Sequence, residues 1–338
     1  MIILLYSCCW KNLKWLEVSF TIIKNFANVN TMVAWLKINP MDDTDRVKKM
    51  IQKEFTDFEI SSIVKSGEGM DNEAYVINDT HIFRFPKRRN IYINLQREVD
   101  ILPELSSLAN LRVPDFTYVS KKMFFVGYKK IPGIFLTKKL YSSFTVKTKT
   151  GIQKSIGEFL TILHDPHLAN FVTGKLRIIN FKEEYEEDFK NTQTIIYPHL
   201  SLKVQHLITK QFNSYLNEKK NFSYTPVLLH NDLSADHILI DKVKHTINGI
   251  IDFGDIAMGD PDYDLMYLFR DIGLAFTKDL LQFYKHDDFE SLFKKLNFFV
   301  LSNILQCLIR AFQEKDKDDC KQGIISLNKW LVAYKPAR

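Results

Sequence analysis

The chain has 338 residues, of which 46% are hydrophobic and 25% charged, an ordinary globular composition with enough length for two lobes rather than one core. The formal net charge of +6 is a mild excess, and no run of Lys and Arg is long enough to act as a nucleic-acid arm. The four cysteines, Cys8, Cys9, Cys307 and Cys320, lack metal-ligand spacing, which argues against a zinc module and fits a reducing, cytoplasmic setting.

Residues 1–40 open with "MIILLYSCCW", which is apolar but short and has no basic residue before it, so it does not read as a secretory signal. Lys11, Lys14, Glu17 and Lys24 interrupt the segment before it reaches the roughly 18 apolar residues of a membrane span. It is expected to be an extension outside the catalytic fold, with Met32 or Met41 as alternative starts. From there "DDTDRVKKMIQKEF" has an acidic start and places Val47, Met50, Ile51 and Phe55 on one face of a helix.

Residues 60–85 alternate as strands do. A first strand is expected to end near Ser66, a glycine turn runs from Gly67 to Asp71, and a second strand covers Ala74–Ile77. Asn78-Asp79 signals a two-residue hairpin into a third strand, His81–Phe85, stopped by Pro86. A helix follows over Ile93–Ser107, then strands over Asp115–Ser120 and Met123–Tyr128, and Pro132-Gly133 breaks the chain. Residues 41–130 therefore read as an N-terminal lobe, a five-stranded antiparallel sheet with one inserted helix. Residues 131–338 read as a mainly helical C-terminal lobe, with helices over Gly151–His164, Glu183–Gln193, Leu202–Lys219 and most of the chain beyond Asp262. The fold class is α+β and bilobal.

One stretch conflicts with its surroundings. "LLHNDLSADHILIDKVKHTINGIIDFGD", Leu228 to Asp255, sets His230, Asp232, His237 and Asp252 among apolar runs that suit a buried sheet. Such a conflict marks a functional site. Taken with the glycine turn Ser66-Gly67-Glu68-Gly69, the strand cation Arg84 and the helix acid Glu98, the order of parts is that of the protein kinases.

The motifs "SGEGMDNEAYVIN", "HIFRFPK", "LQREVDIL", "LLHNDLSADHILID" and "IIDFGDIAMGDPDYDL" resemble those of the aminoglycoside phosphotransferase family, and within it most the aminoglycoside 2''-phosphotransferases. The resemblance runs from about Met41 to Leu268 and implies a protein-kinase-like fold and phosphoryl transfer from ATP or GTP to an alcohol. It implies Asp232 as the catalytic carboxylate that orients the acceptor hydroxyl, and His237 and Asp252 as ligands of Mg²⁺ or Mn²⁺. His237 stands where most relatives carry Asn, and Arg84 where many carry Lys. Ser66, Gly67, Gly69, Arg84 paired with Glu98, and a hinge at Lys129 and Ile131 behind Tyr128 are expected to bind nucleotide.

His230 is expected to brace the catalytic loop, and Asp260 and Asp264 to hold that loop and start the next helix. Asp255 and Asp271 are expected to face a polycationic acceptor. Glu183, Glu184, Glu186, Glu187 and Asp188 form a second acidic cluster, read either as acceptor-facing or as a solvated helix face. Arg270, in "LMYLFRDIGLAF", runs against an all-acidic acceptor site. An antibiotic-resistance enzyme acting as a monomer, without nucleic-acid partners or a membrane span, is the expected function. A kinase for a macrolide, sugar or metabolite, or a non-catalytic nucleotide-binding protein, remains the alternative.

Overall fold

The computed structural model describes residues 43–333 apart from 69–70, 122–123, 285 and 287. The expected N-terminal extension and Gly69 lie outside the described residues. The rest forms two compact units, one of residues 43–102 and 114–131, the other of residues 103–113 and 132–333.

The first unit begins with α1, Asp43–Glu54, whose first turn carries Asp43 and Asp45 and whose last turn carries Lys53, charges that complement the helix dipole. Its buried face, Val47, Met50 and Ile51, packs with Tyr75, Ile77, Phe83, Phe85 and Phe125. The sheet comprises β1 (Ile63–Glu68), β2 (Asn72–Ile77), β3 (His81–Pro86), β4 (Tyr118–Val119) and β5 (Val126–Lys129). It is antiparallel throughout, in the order β1-β2-β3-β5-β4. The inserted helix α2, Arg89–Leu108, follows β3 as expected.

Two local expectations are corrected. β1 continues past Ser66 to Glu68, because a β-bulge between Lys65 and Gly67 absorbs the extra residue and keeps the pairing with β2 in register. The Asn78-Asp79 hairpin has three loop residues rather than two, since Ile77 pairs with His81. Its turn is still built by left-handed Asn78 (φ 53°) and Asp79 (φ 56°), and the Asn78 side chain accepts from the backbone N–H groups of Ser61 and Ser62. In β3, Phe83 and Phe85 lie in the core while Arg84, between them, points to the other face, as the pleat requires. Gly127 on β5 faces Phe83 so closely that an added Cβ would lie 2.5 Å from the ring.

The second unit holds two small antiparallel sheets, one formed by β6 (Ile134–Phe135), β8 (Ile238–Ile240) and β9 (Ile247–Ile250), the other by β7 (Val227–Leu229) and β10 (Ala257–Gly259). Around them lie α3 (Lys138–Ser143), α4 (Val146–Leu163), α5 (Pro166–Val172), α6 (Phe181–Asn191) and α7 (Leu202–Leu216). The C-terminal part adds α8 (Asp264–Asp271), α9 (Leu274–Leu280), α10 (Phe289–Glu314) and α11 (Lys317–Ala333). Thr137, Thr145 and Asp165 cap α3, α4 and α5 by accepting from N–H groups of their first turns. Among the described residues α10 alone is long and apolar enough to cross a membrane. Most of it is buried within this unit, as befits a core helix. Phe298 stacks on Tyr215 of α7, and Phe299 stacks on Phe181 and Tyr185 of α6.

The acidic cluster on α6 divides by helical face. Glu183, Glu186 and Glu187 are exposed, as a solvated face would be, but Glu184 and Asp188 turn inward. Glu184 accepts from Arg177 at 3.1 Å, and Asp188 accepts from Gln306 of α10 at 2.5 Å. Burial pushes the Asp188 carboxyl up to about 7, opposed by its hydrogen bond from Gln306. An acid whose folded pKa lies above its unfolded value stabilises the fold below the unfolded value, and that stabilisation is lost as pH rises through the folded one. Stability is therefore expected to decline between about pH 4 and pH 7 through this group. Asp188→Asn should flatten the decline and raise stability at pH 8 by on the order of 1 kcal/mol. Denaturant unfolding of both proteins across this range measures it; parallel pH profiles would show that Asp188 is not the titrating group.

Candidate active site

In the first unit Arg84 and Glu98 meet, the pairing that the kinase-like order of parts implies. Arg84 sits in β3 opposite Ala74 on one side and Val126 on the other. Glu98 projects from α2, and the two join by a fork of two bonds, Nη1 to Oε2 at 2.7 Å and Nη2 to Oε1 at 3.1 Å. Arg84 is 7% exposed and Glu98 fully buried. A planar guanidinium makes both bonds at once, which the point charge of a lysine ammonium does not.

The other expected nucleotide contacts in this unit are more dispersed. Ser66 is exposed at the bulge and Gly67 pairs with Ala74. Lys129 ends β5 with an exposed side chain, and Ile131 is buried two residues later. Tyr128 is buried, with its ring packed edge-on against Phe116.

In the second unit the stretch that conflicted with its surroundings becomes a loop between β7 and β8 followed by a turn after β9. Asn231 (φ 66°) and Asp252 (φ 67°) both adopt left-handed backbone, a conformation that costs energy for residues with a Cβ and collects at functional sites. The loop is held from below by Asp264, a fully buried carboxylate at the start of α8. Asp264 accepts from the backbone N–H of His230 at 2.9 Å and of Asn231 at 2.7 Å. It accepts a third bond from His164 Nε2 at 3.1 Å, and the other ring nitrogen of His164 meets the Tyr284 hydroxyl at 2.8 Å. The expectation that Asp260 also holds this loop is corrected: its carboxylate pairs with Lys295 of α10 at 2.6 Å and caps the turn at Asp262.

His230 is buried and spends both ring nitrogens inside the protein. Nε2 donates to the Ile251 carbonyl at 3.1 Å, so Nδ1 is the acceptor for the Asp232 N–H at 3.3 Å. Burial drives its pKa down to about 4, so the ring is neutral and serves as a brace. Asp232 is 3% exposed, and its Oδ1 has no hydrogen-bond partner in the protein. A buried carboxylate oxygen left unpaired is costly unless another molecule completes it. Burial pushes the Asp232 carboxyl well above the usual range; His237 works against this, and Asp255 and Asp252 add to it.

His237 and Asp252 face each other across the turn, Nε2 to Oδ2 at 3.4 Å. The Nδ1 of His237 donates to the Asp232 carbonyl at 2.7 Å, which directs Nε2 toward Asp252. One carboxylate and one imidazole nitrogen oriented in this way suit a divalent cation that takes its other ligands from phosphate and water. Among the described residues no three His, Cys, Asp or Glu side chains converge on a common point.

Asp255 is half-buried and bonds through its backbone carbonyl to Asn231 Nδ2 at 3.0 Å. Both carboxylate oxygens of Asp271 are occupied, Oδ2 by the Ala235 N–H at 3.1 Å and Oδ1 by Arg270 Nε at 2.7 Å. Asp271 thus ties α8 to the catalytic loop. His164, Tyr284 and Lys295 join this network through partners far along the chain, which local pattern does not reveal.

The sequence profile of the phosphotransferase enzyme family matches residues 62–299. The chain belongs to this family. Among solved structures, the GDP and kanamycin complex of APH(2'')-IIIa aligns with a TM-score of 0.81 and 29% identity, covering 86% of this chain and 99% of that one. The gentamicin complex of APH(2'')-IIa aligns with a TM-score of 0.69 and 24% identity, over 86% and 97% of the two chains. A macrolide 2'-phosphotransferase type I aligns with a TM-score of 0.67 and 17% identity, over 84% and 96%. The latter two show the shared kinase-like fold. This phosphotransferase is therefore an enzyme with the antiparallel sheet and helical lobe expected of it.

The Arg84–Glu98 fork is buried, so deleting either partner strands a charge. Arg84→Ala and Glu98→Ala are each expected to cost about 3–5 kcal/mol of stability, and the double variant well under their sum. A double-mutant cycle on unfolding, paired with one on kcat/KM for nucleotide, measures the coupling. Additive losses in both would show that the pair does not act as one unit.

Proposed function

We propose that this phosphotransferase moves the γ-phosphate of ATP or GTP to a hydroxyl of an aminoglycoside antibiotic, and thereby confers resistance. The observation that carries the reading is the buried Asp232 carboxylate, with one oxygen unpartnered, set beside the His237–Asp252 pair. The 29% identity to an enzyme whose structure holds GDP and kanamycin supports both the nucleotide and the acceptor.

In this reading Asp232 Oδ1 accepts the hydrogen bond of the acceptor hydroxyl and orients its oxygen toward the γ-phosphorus. The new bond joins that oxygen to phosphorus and the bridging bond to the β-phosphate breaks. The hydroxyl proton passes to Asp232 and then to solvent, and the products are NDP and a phosphate ester. Arg84, fixed by Glu98, offers its charge to phosphate oxygens, and the backbone around Gly67 allows close approach. His237 and Asp252 would hold Mg²⁺ or Mn²⁺, which when bound offsets the negative charge of the phosphates.

Asp232→Ala is expected to lower transfer by at least about a hundredfold while nucleotide affinity stays within a few-fold. NDP release with a panel of aminoglycosides, macrolides and small metabolic alcohols, with each nucleotide, reads both the activity and the acceptor. Turnover of other alcohols but no aminoglycoside would replace the acceptor assignment, and an active Asp232→Ala variant would remove the catalytic one. Asp252→Asn should abolish metal-dependent nucleotide binding together with activity, since a neutral amide holds a hard cation poorly. Calorimetric titration of nucleotide with and without Mg²⁺ tests this; unchanged metal-dependent binding would make Asp252 a structural residue.

A further inference from the structure

The three donors on Asp264 are not equivalent. The N–H groups of His230, on Oδ2 at 2.9 Å, and of Asn231, on Oδ1 at 2.7 Å, belong to the catalytic loop itself. They tie the loop to the carboxylate, but loop and carboxylate can still shift together. The third donor, His164 Nε2 on Oδ2 at 3.1 Å, comes from the C-terminal cap of α4, 100 positions upstream. It anchors the loop and its carboxylate to a separate helix.

An imidazole held at one nitrogen can still swing about its side-chain torsions. Tyr284 removes that freedom: its hydroxyl meets Nδ1 at 2.8 Å, and the two buried rings pack edge-on. A carboxylate oxygen accepts, so Nε2 carries the hydrogen shared with Asp264 and Nδ1 accepts from the phenol. Burial holds the Tyr284 phenol above its ordinary range, with Asp262 and Asp264 adding to this, so it keeps the proton it donates. The backbone beside it is seated on the same helix. A Cβ added to Gly157 of α4 would lie 2.7 Å from the Cβ of Phe283 and 2.8 Å from its carbonyl carbon. That close approach gives His164 and Tyr284 one common frame.

We propose that His164 and Tyr284 are positioning residues for phosphoryl transfer, acting through Asp264 to aim the open oxygen of Asp232. The inference rests on the proposed role of Asp232 and extends it to two side chains outside the loop. A misplacement of about 1 Å at the reacting groups can cost on the order of a hundredfold in rate. Nucleotide affinity is less exposed to the same error. Arg84 belongs to the first unit, and Asp252 is carried by the turn after β9. The two residues therefore act on kcat and leave the KM for nucleotide nearly unchanged.

The test compares His164→Ala, His164→Gln, Tyr284→Phe and the double variant His164→Ala/Tyr284→Phe with the wild type. NDP release with kanamycin and GTP gives kcat and KM, expressed per folded molecule from thermal unfolding. Amide hydrogen exchange at His230 and Asn231 gives a readout that needs no acceptor. His164→Ala is expected to lower kcat by about ten- to a hundredfold, to keep the KM for nucleotide within about threefold, and to speed exchange at both amides. His164→Gln, whose amide both donates and accepts, should recover most of kcat and of the protection. Tyr284→Phe removes one hydrogen bond and should lower kcat about three- to tenfold, with little further effect once His164 is Ala. If His164→Ala does not fold, Tyr284→Phe and His164→Gln carry the test. An unchanged kcat in Tyr284→Phe, or protected loop amides in every variant, would overturn the proposal. So would a loss of kcat that His164→Gln fails to recover, since that traces the effect to ring packing. A fully active Asp232→Ala enzyme would instead remove the role of Asp232, whatever the variants of His164 do.

Discussion

Two backbone N–H groups, those of His230 and Asn231, end on one buried carboxylate, Asp264, and the geometry of the catalytic loop follows from that. A carboxylate taken out of water must be satisfied by good donors. Asp264 has three, since His164 adds a ring N–H and is itself steadied by Tyr284. With the loop's first two residues pinned, Asn231 is held in its left-handed conformation and Asp232 is delivered with one oxygen unspent. His230 then locks the next peptide through Nδ1, and His237 reaches back to the Asp232 carbonyl. The strain in this stretch is offset by bonds made outside it, from α4, α8 and the segment after α9.

Ion pairs elsewhere in the chain serve the same end by different means. Arg84 and Glu98 satisfy each other through a fork, which leaves a rigid cation on β3. Lys295 answers both Asp260 and Asp262, and His286 adds a bond to Asp262, closing the turn that begins α8. A buried pair of this kind contributes little net stability over a well-packed apolar substitute, so its value lies in fixing one geometry. Here the geometries fixed are those of Arg84 on β3 and of the turn that begins α8.

Much of this was legible in the sequence because the signals are local. The alternation of β1 to β3, the Asn78-Asp79 turn and the apolar face of α1 each lie within a dozen residues, and periodicity reports such features directly. His230, Asp232, His237 and Asp252 were conspicuous because charge interrupted an apolar sheet. The supports were not legible. His164 and Asp264 are 100 positions apart, and Asp188 and Gln306 are 118 apart. Nothing in the local pattern of either residue names its partner. The bulge at Ser66 escaped for a related reason: the alternation of β1 alone is compatible with ending or continuing, and only the pairing with β2 decides. For Asp271, an acid expected to face the acceptor, composition records its charge and not the two donors that hold it.

That last point bears on how charge near the acceptor should be counted. A tally of carboxylates along residues 255–271 suggests a surface made for polycations. Asp260, Asp262, Asp264 and Asp271 are all committed to Lys295, His286, backbone N–H groups or Arg270. A carboxylate already paired exerts a much weaker field on an incoming ammonium group than a free one, because its partner cancels most of the charge at a distance. Asp232 differs from these four in keeping one oxygen without a partner in the protein, so composition overstates the anionic surface that this stretch can offer.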